Sequence, residues 1–126
     1  MEKTVLSRQA LLTKQNVEVV EVDLGEGQVV YVREMTGQAR DNFEGSMLKK
    51  VPKENGETDF EYNRENYRSK LAVCTICNAD GELILLPEDY PVLAEAMGIK
   101  RLDKIIAAAN KLNKITEADK KELTKN

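Results

Sequence analysis

The residues best suited to chemistry in this chain of 126 residues are two cysteines, Cys74 and Cys77, spaced like a redox pair or half of a zinc site. A structural zinc needs four ligands, and the chain holds no further cysteine and no histidine. A redox pair works at a helix N-terminus, where the dipole lowers a thiol pKa. Here the pattern predicts both thiols on one side of a helix near its C-terminus, so they read as small apolar core residues. Without histidine the commonest general base and metal ligand are missing, which nearly excludes ordinary hydrolase triads.

Other motifs also fall short. If Gly81 held the sixth place of a calcium loop, Ile76 would stand first and Pro87 twelfth, where carboxylates are required. An Asp-Gly turn explains Asn78, Asp80 and Gly81 better. Gly25-Glu26-Gly27 lacks the third glycine and the following helix of a dinucleotide site. Glu88-Asp89 and Glu54/Glu57 lie in loops or first turns, where the helix dipole already accounts for them. The expectation is a non-enzymatic protein with no catalytic, cofactor-binding or metal-binding residue.

The composition points to an aliphatic, helix-rich core under a solvated exterior: 33% charged residues, 5% aromatics and no tryptophan. One core is expected, hence a single domain over 1–126. No apolar run approaches the roughly 20 residues of a membrane span, no leader opens the chain, and cysteines are few, so an intracellular, reducing location is expected. The net charge of −3 hides an asymmetry, because residues 99–126 carry 8 basic and 4 acidic side chains. Lys100, Lys104 and Lys111 fall along one helix side with Arg101 and Lys114 nearby, which admits a small nucleic-acid-binding regulator as the alternative reading. No aromatics interleave to stack bases and Asp103 interrupts the patch, so a solvated helix face is preferred.

The elements that must position these residues follow from periodicity. Residues 17–24 and 29–32 are rich in β-branched residues and flank the glycine loop, predicting an N-terminal β-hairpin. The alternation slips between Val19 and Val20, which a bulge there would repair. Val29, Val30, Tyr31 and Val32 are apolar on both faces; either both faces are covered or one is kept for a partner, making these four the candidate partner-binding residues. Thr36 caps a helix with Ala39, Phe43 and Met47 in register, ending near Lys50. Residues 51–59 show no periodicity and predict a mobile loop at about 50–59. A second helix is expected over 60–77, a short strand or connector over 83–86, and a helix start bracketed by Pro87 and Pro91. A strongly periodic helix should cover 99–113 and a short final one 116–125. The fold class is α+β, the hairpin packed on a bundle of about four to five helices.

Three blocks carry a resemblance: strand-to-helix residues 32–44, the turn at 78–85, and the ending at 107–116. In this order and spacing the chain resembles, over nearly its whole length, the tail assembly chaperones of long-tailed (siphovirus-type) phages. It departs from them at Cys74 and Cys77, where aliphatic residues are usual, and at Pro87 and Pro91. The resemblance implies a non-enzymatic phage or prophage protein of the host cytoplasm, absent from the mature virion. Such proteins bind the tape measure protein, and a longer form made by ribosomal frameshift helps recruit major tail (tube) subunits. A homo-oligomer is compatible with this role, since many weak copies along one client act by avidity.

The resemblance generates a prediction at the level of codons. A backward slip needs a heptamer of the form X XXY YYZ, and Thr124-Lys125-Asn126 permits it if Thr124 is ACA and Lys125 is AAA. Reading the gene should show those codons followed by an open overlapping frame. Any other codon at either position removes this slip site.

Overall fold

The computed structural model describes residues 2–115, so the helix expected over 116–125 lies outside the described residues. In chain order the elements are α1 (Arg8–Leu12), β1 (Val19–Gly25), β2 (Gln28–Arg33), α2 (Gly37–Ser46), β3 (Leu48–Pro52), β4 (Thr58–Tyr62), α3 (Tyr67–Val73), β5 (Ile76–Cys77), α4 (Tyr90–Ala96) and α5 (Ile99–Leu112). The class is α+β, as expected from the sequence.

The valine-rich strands β1 and β2 pair antiparallel around Glu26-Gly27, with Val20 opposite Val32 and Val22 opposite Val30. Gly25, Glu26 and Gly27 all have positive φ, which glycine tolerates and which closes the turn. The register shifts between Asp23 and Gly25, beside the turn, where the Asp23 carboxylate accepts from the Gly25 N–H at 2.7 Å. No bulge forms at Val19/Val20. The alternation is continuous there because Val20, Val22 and Leu24 face the core, while Val17 and Val19 take the outer face under Gly81. A Cβ on Gly81, itself at φ +83°, would stand 3.2 Å from Val17 Cγ2.

Thr36 caps α2 as expected, its Oγ1 accepting from the Ala39 N–H at 3.1 Å. The helix stops at Ser46 rather than Lys50. Gly45 and Ser46 are weak helix formers, and Met47 closes the helix while remaining buried. Residues 51–59, expected as a loop, instead complete a second hairpin in which β3 pairs with β4 from Leu48↔Tyr62 to Pro52↔Thr58. Only 53–57 form its turn, closed by Lys53 N–H to Glu57 O at 2.8 Å. Thr58, Phe60 and Tyr62 alternate with charges and favour a pleated surface, so Phe60 is an exposed strand residue and not the start of a helix.

The helix expected over 60–77 is therefore shorter at both ends. Val73, Thr75 and Ile76 are β-branched, and the buried Thr75 hydroxyl donates to Leu71 O at 2.8 Å, finishing α3. The chain then extends into β5, which adds to the hairpin in the order β1-β2-β5, with Val32 opposite Ile76 and Tyr31 opposite Cys77. Residues 83–86 form no strand and contribute one bridge, Leu83 to Cys77. One 3-10 turn, Pro87–Asp89, leads into α4, and Asp89 accepts from the Leu86 N–H at 2.8 Å.

The core lies between the inner face of the three-stranded sheet and the helices. Val22, Leu24 and Val32 meet Leu102, Ile105, Ile106 and Ala109 of α5, and Phe43, Met47, Leu71 and Ala72 close it. Phe43 and Tyr67 join α2 to α3 edge-to-face at 5.8 Å. Helix α1 buries no residue and stands outside this bundle.

At the end of α5, Asn113 ties three elements together. Its Oδ1 accepts from the Met35 N–H at 2.6 Å, its Nδ2 donates to Ala109 O at 2.9 Å, and its carbonyl accepts from Arg40 Nη1 at 3.0 Å. Asn113→Ala leaves the Met35 N–H without its acceptor and should cost about 1–3 kcal/mol in urea unfolding. Asn113→Asp keeps that acceptor and should cost less. Equal midpoints for the parent and the alanine variant would refute this role.

Candidate partner-binding surfaces

The four apolar residues of β2 divide between the two faces of the sheet. Val32 is fully buried at 0% exposure and Val30 packs beside it on the core, so both belong to the interior. Val29 is 45% exposed, and half-buried Tyr31 shares its outer face. Across the strand pair Val29 faces Asp23 and Tyr31 faces Glu21, so this outer surface is apolar at its centre and acidic along one edge. Strand β5 spans two residues, and among the described residues Gln28, Val29 and Val30 have no strand partner on that side.

The rest of the outer face is covered by the turn at 78–82. Asn78 Oδ1 accepts from the N–H groups of Asp80 and Glu82, which shapes the turn. Arg33 Nη1 donates to Gly81 O at 3.0 Å and fastens it over the sheet. Arg33 Nε is buried and has no hydrogen-bond partner among the described residues.

A second surface was not legible as a site in the sequence. Helices α2 and α3 and the segment before α4 enclose an apolar groove of about 370 Å³ lined by Ala39, Val73, Cys74, Leu83, Leu85 and Tyr90 among others. Lys70 stands at its rim, donating to Ser46 O at 2.9 Å, with its ammonium 5.3 Å from the Tyr90 ring centre. Ile84, Leu86 and Val92 are exposed in the same stretch. The one signal in the sequence was the apolar run 83–86 between a turn and a proline, which reads equally as a buried strand.

The cysteines do not share a helix face. Cys74 closes α3 and lines the groove, whereas Cys77 lies in β5, buried. Burial raises both thiol pKa values, partly offset by the Arg33 guanidinium, so both are protonated at neutral pH. Among the described residues no three cysteine or carboxylate side chains converge to hold a metal ion.

On α5, Lys100, Lys104 and Lys111 are exposed. Arg101 turns back to the hairpin, donating to Leu24 O at 3.2 Å and to the Gln28 side chain, and Asp103 pairs with Arg68 at 3.0 Å. Lys114 is exposed beyond the helix end. Among the described residues no helix is long and apolar enough to cross a membrane. No family model, curated protein or solved structure matches the chain.

The raised thiol pKa values set a pH dependence. Folding favours the protonated thiols, so their contribution is full below the ordinary thiol range and is lost as the pH rises through the higher folded values. A Cys74→Ala/Cys77→Ala variant should lose less stability than the parent between neutral and alkaline pH. Alkylation of the native protein should be slower than that of a free thiol, with Cys77 slower than Cys74. Parallel pH profiles for parent and variant would remove this linkage.

Proposed function

We propose that this protein is a tail assembly chaperone of a long-tailed phage or prophage. It binds the tape measure protein in the host cytoplasm, helps recruit tube subunits through a longer frameshifted form, and is absent from the mature virion. The reading rests on the resemblance carried by three blocks at 32–44, 78–85 and 107–116. The observation that supports it is a small fold that leaves apolar side chains on two surfaces, the Val29/Tyr31 face and the groove beside Tyr90. A long, helix-prone client exposes apolar surface before the tube forms, and covering that surface requires apolar patches on the chaperone.

The alternative, a nucleic-acid-binding regulator, draws on Lys100, Lys104 and Lys111. It is the weaker reading because Arg101, which lies among these lysines, is engaged with the hairpin within the protein. Phosphate contacts weaken steeply with salt, so nucleic-acid binding measured at two salt concentrations separates the readings.

The direct test is co-purification with the tape measure protein of the phage or prophage genome that carries this gene. Val29→Asp and Tyr31→Asp should fold and bind at least severalfold more weakly, whereas Val32→Asp buries a charge and should unfold the protein. Capture unchanged in both folded variants would exclude the outer sheet face, and no capture by the parent would overturn the proposed function.

A further inference from the structure

The N-terminal arm carries apolar surface that its own chain does not cover. Of residues 2–16 only Ala10 is even half-buried, and Val5, Leu6, Leu11 and Leu12 are all exposed, Val5 at 95%. Single exposed leucines are ordinary, but four large aliphatic side chains within eight residues form a patch. The arm is nevertheless shaped, since Ser7 Oγ accepts from the Ala10 N–H at 3.2 Å and caps α1. Five helical residues are far below the length at which a helix is stable alone in water. Residues 11–17 line one side of a cleft of about 1170 Å³ whose other side is the β2–α2 junction and the 80–82 turn, so the arm leaves this space beside its own body open.

The groove beside Tyr90 has the complementary properties. Its lining is largely apolar with Lys70 as the one charged residue, and Glu88 and Asp89 stand in the chain between the lining residues Pro87 and Tyr90. The arm carries Lys3, Arg8 and Lys14 against Glu2 alone. Its aliphatic side chains suit the lining, and its cations suit the Glu88 and Asp89 carboxylates between Pro87 and Tyr90. Lys70 at the rim is already engaged with Ser46 O and the Tyr90 ring.

We propose that the arm, residues 2–16, docks into the groove of a second copy of this chain. The contact is heterologous: each copy offers an arm to one neighbour and a groove to another, so the assembly grows into a ring or an open chain. This proposal does not depend on the tail-assembly reading, because both halves of the contact lie in this chain.

Sedimentation velocity over a wide concentration range tests it. The parent should associate beyond a dimer as concentration rises, more weakly at high salt. Deleting residues 2–16, none of which is buried, should leave a folded monomer, and Leu83→Lys in the groove should do the same. Mixing these two variants should give a one-to-one complex and nothing larger, since only one arm and one groove remain between them. Should Leu83→Lys fail to fold by circular dichroism, Glu88→Lys replaces it, with association weakened severalfold at low salt. A parent monomeric at every concentration, an armless variant that associates like the parent, or no complex in the mixture would each overturn the proposal.

Discussion

The rest of the structure depends on α5 covering two neighbours at once. Its stripe of Leu102, Ile105, Ile106 and Ala109 seals the inner face of β1 and β2 and also packs along α3. Each large side chain so buried contributes roughly 1.5–3 kcal/mol. With no tryptophan and few aromatics, no other described helix presents a comparable run of buried aliphatic residues. The orientation of α5 is set at both ends by polar contacts: Arg101 reaches the hairpin turn near its start, and Asn113 grips the β2–α2 junction at its finish. Aliphatic packing supplies most of the favourable energy, while these directional hydrogen bonds select one register among many apolar alternatives.

The core is built on one face of the sheet, and among the described residues no helix covers the opposite face. The turn at 78–82 covers part of it, held by Arg33 and able to approach Val17 and Val19 because residue 81 is glycine. Cys77 is buried there, and that burial raises its thiol pKa. What the turn does not reach is the end of the hairpin around Val29. The exposed apolar surface follows from a core built on one face of the sheet, with the 78–82 turn covering only part of the other among the described residues.

The groove beside Tyr90 arises from a similar economy. Segment 83–86 crosses between the sheet and α4 with only one bridge to β5, so its leucines and isoleucine are neither paired in a strand nor fully enclosed. Glu88 and Asp89, between its lining residues Pro87 and Tyr90, and the basic, aliphatic arm at residues 2–16 are opposite in charge. Surfaces of this kind are suited to contacts with other chains.

Local chemistry makes several features legible in the sequence. The Gly25-Glu26-Gly27 turn, the Thr36 cap, the proline-marked start of α4 and the span of α5 each depend on residues within a few positions, so they read directly from the chain. The α+β class follows from their order. Long-range packing resolves what those patterns leave degenerate. Val30 and Val29 are the same residue type one position apart, and only packing against α5 makes one interior and the other exposed. Thr75-Ile76-Cys77 could have continued a helix, but a vacant edge on β2 offered hydrogen bonds that turned it into β5. Residues 48–62 carry too little apolar signal to announce a hairpin, because that ribbon is stabilised chiefly by cross-strand pairing rather than burial. Turns, caps and amphipathic stripes are written in the order of residues because their energies are local. Which apolar face stayed open, and where the groove formed, depended on contacts between residues far apart in the chain.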